Sequence, residues 1–422
     1  MKDTTSSGWW RALGPGLLYA AAAIGVSHLV QSTRAGALYG IALAGFIILA
    51  NVAKYPAFRF APQYTLATGR SLLQGYRRQG RWTLAVTGAL TLGTMFTVQA
   101  AVGAVTAGLF LAVTGIEADV VVVAAGLLLA GAALLALGDY RWLDRVTKVL
   151  VALLTVATLS ATVLAAGRVD WANASWAIPL DGYDRATIVF LAGLVGWMPA
   201  PIDLAVWQSL WTKEKARAQE RFSMRVALLD FHIGYLGTAV LALCFMLMGA
   251  GVMFGSGAVF ADSAGAFAAQ VIDLYGEVLG DWSRPVVGLA AFAVMFSTTL
   301  TVLDGFPRAL SALWARWKTD EPLERSDEDR RAYWICLALL VCGACLVLAK
   351  FLTSLKGMVQ VATTLSFLTS PVLAIFNHRA MTSRDVPEEH RPSAALQLWS
   401  ILGVVFLVGF ALYYGWILVS AP

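Results

Sequence analysis

The chain has 422 residues, of which 59% are hydrophobic and only 14% charged, and this balance excludes a soluble globular protein. Its net charge of +5 does not indicate a nucleic-acid partner, because most Lys and Arg residues lie in alternate loops, as the positive-inside rule requires. Those loops are Arg70 to Arg81, Arg141 to Lys148, Lys213 to Arg225, Arg308 to Arg331 and Arg379 to Arg391. We therefore predict a multi-pass protein of the cell inner membrane, in contact with the lipid bilayer.

About eleven apolar stretches are long enough, at roughly 20 residues each, to cross the hydrocarbon core as helices. We place them near 14–38, 41–62, 83–113, 118–138, 146–167, 187–211, 226–254, 285–314, 332–352, 356–377 and 396–419. The loop charges put the N-terminus in the cytoplasm, and an odd number of spans puts the C-terminus outside. We expect one all-α transmembrane domain without a cofactor, and no enzyme, because no phosphate loop or compact His/Cys cluster is present.

The first span is interrupted near its middle. Gly25 weakens the helix there, and Ser27 and His28 stand beside it. At membrane depth an imidazole binds a metal, carries a proton or hydrogen-bonds a substrate; the alternative is a hydrogen bond in helix packing. The sequence leaves these interpretations of His28 open.

The sixth span is interrupted by two prolines in Met198-Pro199-Ala200-Pro201-Ile202-Asp203. The Asp203 carboxylate either caps the resumed helix or binds substrate or a cation. Backbone that leaves the helix at membrane depth is tolerated only where protein or a watery cavity satisfies its polar groups. Two such broken spans in corresponding positions indicate the substrate site of a transporter.

The positions of the two breaks divide the chain into repeats. Spans one to five form one half, at about 12–167, and spans six to ten the other, at about 186–378, with an extra helix at about 396–419. Because five is odd, the second half enters from the opposite side of the membrane. This arrangement predicts a 5+5 inverted repeat plus one helix.

Other polar residues within the spans are candidates for coupling or gating. His232 begins the seventh span, as a gate or an interface residue. In the eighth span, Ser297, Thr298 and Thr301 either form an ion site or bond back to their own helix. Thr363 belongs to a polar stretch of the tenth span, which faces protein or water in preference to lipid.

Two further patterns have structural interpretations. Asp304 and Arg308 stand one helical turn apart and are expected to form an ion pair. The amphipathic run 264–279, in the largest outer connection, is expected to form a short interfacial helix.

The opening Gly14-Pro15-Gly16, the break that follows it, Ala35-Gly36, Tyr39-Gly40 and the Pro-broken sixth span together resemble the Nramp family. Its members are proton-coupled transporters of divalent transition metals with the LeuT-like inverted-repeat fold. The resemblance covers all eleven predicted spans in order, and it is most specific in spans one and six.

Both metal-binding motifs of the family are altered. The first-span motif Asp-Pro-Gly-Asn corresponds to Gly25-Val26-Ser27-His28. The sixth-span Met-Pro-His-Asn corresponds either to Met198-Pro199 or to Ala200-Pro201. We prefer the second register because it aligns Gln208-Ser209-Leu210 with the family's Ser-Ser-Leu. This register puts Asp203 at the Asn and Trp207 at a distal His, and the family's tenth-span Gln corresponds to Thr363.

The resemblance implies a secondary transporter that works by alternating access, nominally on a divalent metal ion and coupled to protons. The expected substrate-binding residues are Gly25, Ser27, His28, Ala200, Asp203 and Thr363, with His28 and Asp203 as metal ligands. The expected coupling or gating residues are Trp207, His232, Ser297, Thr298 and Thr301. Because the metal motifs are altered, a transporter of a small polar organic solute is the alternative, and a non-transporting membrane sensor is a third hypothesis. The oligomeric state is left open.

Overall fold

The computed structural model describes residues 14–137, 141–179, 183–218, 222–257, 260–319, 329–351 and 354–420, without the side chains of 141–151. The polar N-terminal segment 1–11, predicted to be cytoplasmic, lies outside these residues. The described chain is all-helical, with fifteen α-helices and no strand.

Both predicted breaks are confirmed. The first span consists of α1 (Pro15–Ala23), a π-helical segment (Ser27–Ser32) and α2 (Thr33–Tyr39). The sixth span consists of α8 (Arg185–Trp197) and α9 (Asp203–Ala218). The π-helical segment was not predicted. It differs from an α-helix only in which carbonyl accepts each backbone N–H after Gly25, and no residue pattern marks that difference.

The remaining helices coincide with the other predicted stretches and with the amphipathic run 264–279, apart from a short helix at Leu72–Gln79, which was not predicted. They are α3 (Ala44–Thr68), α4 (Leu72–Gln79), α5 (Arg81–Thr114), α6 (Val120–Leu137), α7 (Arg141–Ala166), α10 (Met224–Val252), α11 (Ala264–Leu279), α12 (Ser283–Lys318), α13 (Arg330–Phe351), α14 (Leu355–Met381) and α15 (Ala394–Ser420). The helix expected over 264–279 is confirmed as α11. Within the described chain, seven helices are long and apolar enough to cross a membrane: α5, α6, α10, α12, α13, α14 and α15.

Helix α10 packs against both halves of the first span through glycines. A Cβ added to Gly36 would lie 1.8 Å from the Met246 carbonyl oxygen, and one added to Gly249 would lie 2.2 Å from that of Thr33. At the other half, a Cβ on Gly234 would lie 2.3 Å from the Gly16 carbonyl oxygen. Membrane helices approach this closely only where small residues face each other.

Helix α14 covers the first half of the sixth span in a similar way. A Cβ added to Gly193 would lie 2.6 Å from the Thr363 hydroxyl oxygen, and one added to Gly196 would lie 2.3 Å from the Thr363 carbonyl oxygen. The first span and the first half of the sixth span are therefore each packed closely against one continuous helix.

Candidate functional site

A backbone carbonyl that is freed by the break in the first span accepts a hydrogen bond from the eighth span. Because the Gly25 N–H donates to the Ala23 carbonyl at 2.9 Å, the Ala21 carbonyl loses its usual helical partner. It instead accepts a hydrogen bond from the Thr298 hydroxyl of α12 at 2.9 Å. A Cβ on Gly25 would lie 2.9 Å from the Thr298 methyl carbon, so the absent side chain is what admits Thr298.

His28 is fully buried and faces α10. Its Nε2 lies 2.9 Å from the Thr238 carbonyl oxygen, and its Nδ1 lies 2.7 Å from the Ser27 hydroxyl oxygen. The Ser27 hydroxyl also lies 2.5 Å from the Ala23 carbonyl. A carbonyl only accepts, so Nε2 carries a hydrogen and donates. Both ring nitrogens are therefore engaged within the protein, as in the helix-packing interpretation.

Two backbone carbonyls at the break in the sixth span accept hydrogen bonds from a lysine of the second span. The Lys54 ammonium, on α3, donates to the Gly196 carbonyl at 2.7 Å and to the Ala200 carbonyl at 3.2 Å. Its side chain is 0% exposed. A cation at the C-terminal end of α8 also complements the negative end of that helix dipole. Lys54 was not predicted as a site residue, although a buried Lys within a span is a signal of function.

Asp203 opens α9 and is buried, with 4% exposure. Its Oδ2 has no hydrogen-bond partner, and the charges of Asp203 and Lys54 attract each other. Together with Trp207 and Thr91, Asp203 lines a cavity of about 10 Å³, which has room for about one water molecule. Trp207 packs on Gly305, where a Cβ would lie 2.4 Å from the indole.

The π-helical segment that follows the first break contacts the sixth break. The Ser32 hydroxyl lies 3.6 Å from the Met198 sulfur, and Met198 is fully buried. One residue earlier, the Gln31 amide donates to the Thr363 hydroxyl at 3.2 Å. The first, sixth and tenth spans are thus in direct contact through Gln31, Ser32, Met198 and Thr363. Gln31 and Ser32 were not predicted as site residues, because neither is charged and neither is a Gly or Pro that would interrupt a helix.

The candidate coupling residues divide between three environments. The Thr301 hydroxyl donates to the Ser297 carbonyl of its own helix at 2.8 Å. The Thr298 hydroxyl lies 3.1 Å from the Val294 carbonyl of its own helix and 2.9 Å from the Ala21 carbonyl of the first span. His232 lies beside α3, with its Nε2 2.7 Å from the Tyr55 hydroxyl and the two rings stacked 5.9 Å apart. Of these residues, Thr298 is the one that contacts a break.

The expected ion pair between Asp304 and Arg308 is confirmed, with the guanidinium Nε 2.9 Å from the carboxylate. Arg308 also pairs with Glu214 of α9 at 2.7 Å, and the Tyr333 hydroxyl of α13 donates to Asp304 at 2.8 Å. These contacts tie α9, α12 and α13 together at the end of the bundle predicted to be cytoplasmic.

His28 and Asp203 contact different elements. His28 binds α10 through Thr238, whereas Asp203 interacts with Lys54 and lines the cavity beside Trp207. Among the residues that the structure describes, no group of three or more His, Cys, Asp or Glu side chains is placed to hold a metal ion. The polar groups at the contact between the π-helical segment and the sixth break include the Met198 thioether, the Ser32 hydroxyl and the Gln31 amide, and the Lys54 ammonium lies on the Gly196 and Ala200 carbonyls.

Comparison with known proteins gives consistent similarities. The sequence model of the family described as Natural resistance-associated macrophage protein-like (Nramp) matches residues 16–416. Uncharacterized protein PM0681 of Pasteurella multocida (strain Pm70) is 34% identical over an alignment of 420 positions, which covers 96% of this chain and 93% of that protein.

Solved structures share the fold. A mutant of the manganese transporter of Eremococcus coleocola superposes with a TM-score of 0.69 at 14% identity, over 100% of this chain and 91% of that chain. MhsT in complex with L-phenylalanine superposes with a TM-score of 0.61 at 14% identity, over 99% of this chain and 100% of that chain. The fold is therefore LeuT-like.

Proposed function

Because this chain belongs to the Nramp family, we propose that it is a secondary transporter that moves a divalent metal ion by alternating access, with protons as the coupling ion. The family membership and the fold shared with a manganese transporter support the substrate class. The observation that carries the proposal is the contact between the π-helical segment after the first break and the sixth break, at Ser32 and Met198. Paired broken helices that meet in the membrane form the substrate site in this class of transporter.

We place the metal ion between the π-helical segment and residues 198–203. Asp203 supplies the first ligand once its side chain turns from the cavity beside Trp207, because its Oδ2 is buried and has no partner. The Met198 thioether supplies a soft ligand, and its contact with Ser32 favours the register in which Met198-Pro199 replaces the family's Met-Pro. His28 enters the ligand set only after its ring leaves Thr238 or Ser27.

Replacing Met198 with Leu tests this assignment. The substitution keeps the buried volume and removes the sulfur, so we expect uptake of Mn²⁺ and Cd²⁺ into proteoliposomes to fall about tenfold, with little change in folding. Met248→Leu is the matched control, because Met248 is equally buried but lies on α10. Equal uptake by the two variants would remove the thioether from the site.

A transporter of a small organic solute is the second candidate, and the charges at the sixth break favour it. Lys54 and Asp203 offer one positive and one negative group there, which complement a zwitterion, and the Lys54 ammonium repels a divalent cation. Calorimetric titration of Mn²⁺ and Mg²⁺ into the purified protein, together with uptake, separates the candidates. Absence of heat and of uptake for both ions would support the organic solute.

We also propose that the chain crosses the inner membrane eleven times as a 5+5 inverted repeat plus α15, with a cytoplasmic N-terminus and an external C-terminus. The basic loops support this orientation. In bacteria, alkaline phosphatase fused after residue 420 is then expected to be active, and green fluorescent protein fused there to stay dark. The opposite pattern would reverse the topology.

A further inference from the structure

Lys54 has the surroundings of a bound ion. Its ammonium lies between two carbonyl oxygens, Gly196 at 2.7 Å and Ala200 at 3.2 Å. Helix α8 ends at Trp197, so the Gly196 carbonyl lacks the N–H that a continuing helix would provide. The side chain is fully buried, and Asp203 interacts with it electrostatically.

Backbone carbonyl oxygens of this kind can coordinate monovalent cations. Unwound backbone carbonyls and the C-terminal ends of half-helices coordinate small cations in transporters built from broken spans. An ammonium group has a single positive charge and donates hydrogen bonds to the same oxygens that would coordinate Na⁺ or K⁺. The sixth break therefore has the ligands of a cation site, and a side chain of this chain occupies it.

We propose that Lys54 is a tethered cation, which fills a monovalent-cation site at the sixth break and replaces a free ion there. The inference is separate from the identity of the transported substrate. It has two consequences: the native protein needs no Na⁺ or K⁺ at this position, and removal of the Lys54 side chain leaves a site that a small free cation can enter.

The alternative is that Lys54 only fills space and caps α8. Two substitutions distinguish the alternatives, because one opens the space next to the carbonyls and the other keeps it filled. Lys54→Ala removes both the charge and the chain and leaves the carbonyls open. Lys54→Met removes the charge but keeps most of the volume, so it blocks the same space.

The test is the Tm of the purified proteins in choline chloride, NaCl, KCl, ammonium chloride and methylammonium chloride. In choline we expect Lys54→Ala to unfold about 5 °C or more below the native protein. Ammonium or methylammonium is expected to restore at least half of that loss, whereas Lys54→Met stays at its value in choline. Arg59→Ala is the control for the loss of a cation from the same helix, and it is expected to show no selective rescue.

Equal Tm values for Lys54→Ala in choline and in all four small cations would overturn the proposal. If Lys54→Ala cannot be purified in choline, the proposal requires that it be recovered from membranes in ammonium or methylammonium; failure in every cation counts against it. Uptake by the native protein that requires Na⁺ or K⁺ would also overturn it. If the native protein moves no divalent metal, the proposed function fails while the Tm test still decides the role of Lys54.

Discussion

Replacing Gly249 with Ala is expected to separate α2 from α10 and to destabilise the protein by about 3 kcal/mol, at the upper end of the cost of overpacking. The added Cβ would lie 2.2 Å from the Thr33 carbonyl oxygen and 3.0 Å from the Ala37 nitrogen. Both are backbone atoms, so the clash cannot be relieved by turning a side chain. One helix has to move away from the other.

Gly237 provides the matched control, because it lies on the same helix and a Cβ there would meet no atom within 4 Å. Gly237→Ala is expected to be neutral or to stabilise the protein by about 0.5–1 kcal/mol, since Ala loses less conformational freedom than Gly in a helix. The measurement is the Tm and the monodisperse yield of each variant in detergent. Equal values for the two variants would contradict the close packing of α2 on α10.

The second large effect concerns the electrostatic interaction between Lys54 and Asp203. Asp203→Asn keeps the shape of the side chain but leaves the buried Lys54 ammonium without its negative neighbour, and Lys54→Met leaves the carboxylate without its cation. Each single variant is expected to lose stability, and the double variant less than the sum of both. We expect a coupling free energy of about 1–3 kcal/mol.

A double-mutant cycle measured by unfolding in detergent gives this coupling directly. The control cycle combines Lys54→Met with Glu214→Gln, whose side chain is 51% exposed and pairs with Arg308 instead. The control cycle is expected to be additive within about 0.5 kcal/mol. Additivity in both cycles would show that Lys54 and Asp203 act independently.

Asp203→Asn is also expected to lower metal uptake at least about tenfold if Asp203 is a ligand.

The fold was predictable because its signals are local. Gly25 and the prolines at 199 and 201 weaken or end a helix by themselves, so both breaks could be located from the sequence. The length and hydropathy of each apolar stretch predicted the long helices, and the amphipathic run 264–279 predicted α11. Asp304 and Arg308 lie one turn apart, so their pairing also follows from local geometry.

The partners of the broken ends could not be predicted because they are distant in sequence. Lys54 and Gly196 are 142 residues apart, and Ala21 and Thr298 are 277 apart. Which polar residue reaches a freed carbonyl is decided by helix packing, and apolar periodicity does not encode it. For the same reason, the sequence left His28 open, and its contact with Thr238 emerged only from the fold.

The glycine contacts of α10 also bear on how such a bundle moves. Gly16 contacts Gly234 on the N-terminal side of the first break, and Gly36 contacts the Met246 carbonyl on its C-terminal side. Both halves of the first span therefore pack closely against the one continuous helix α10. Although Gly25 interrupts the first span, we therefore expect its two halves to move together with α10 as one rigid body. Movement is then expected on the sides of the first span that face α12 and the sixth span, where Thr298 contacts Ala21 and Ser32 contacts Met198, and each contact that is lost has to be replaced by another polar partner.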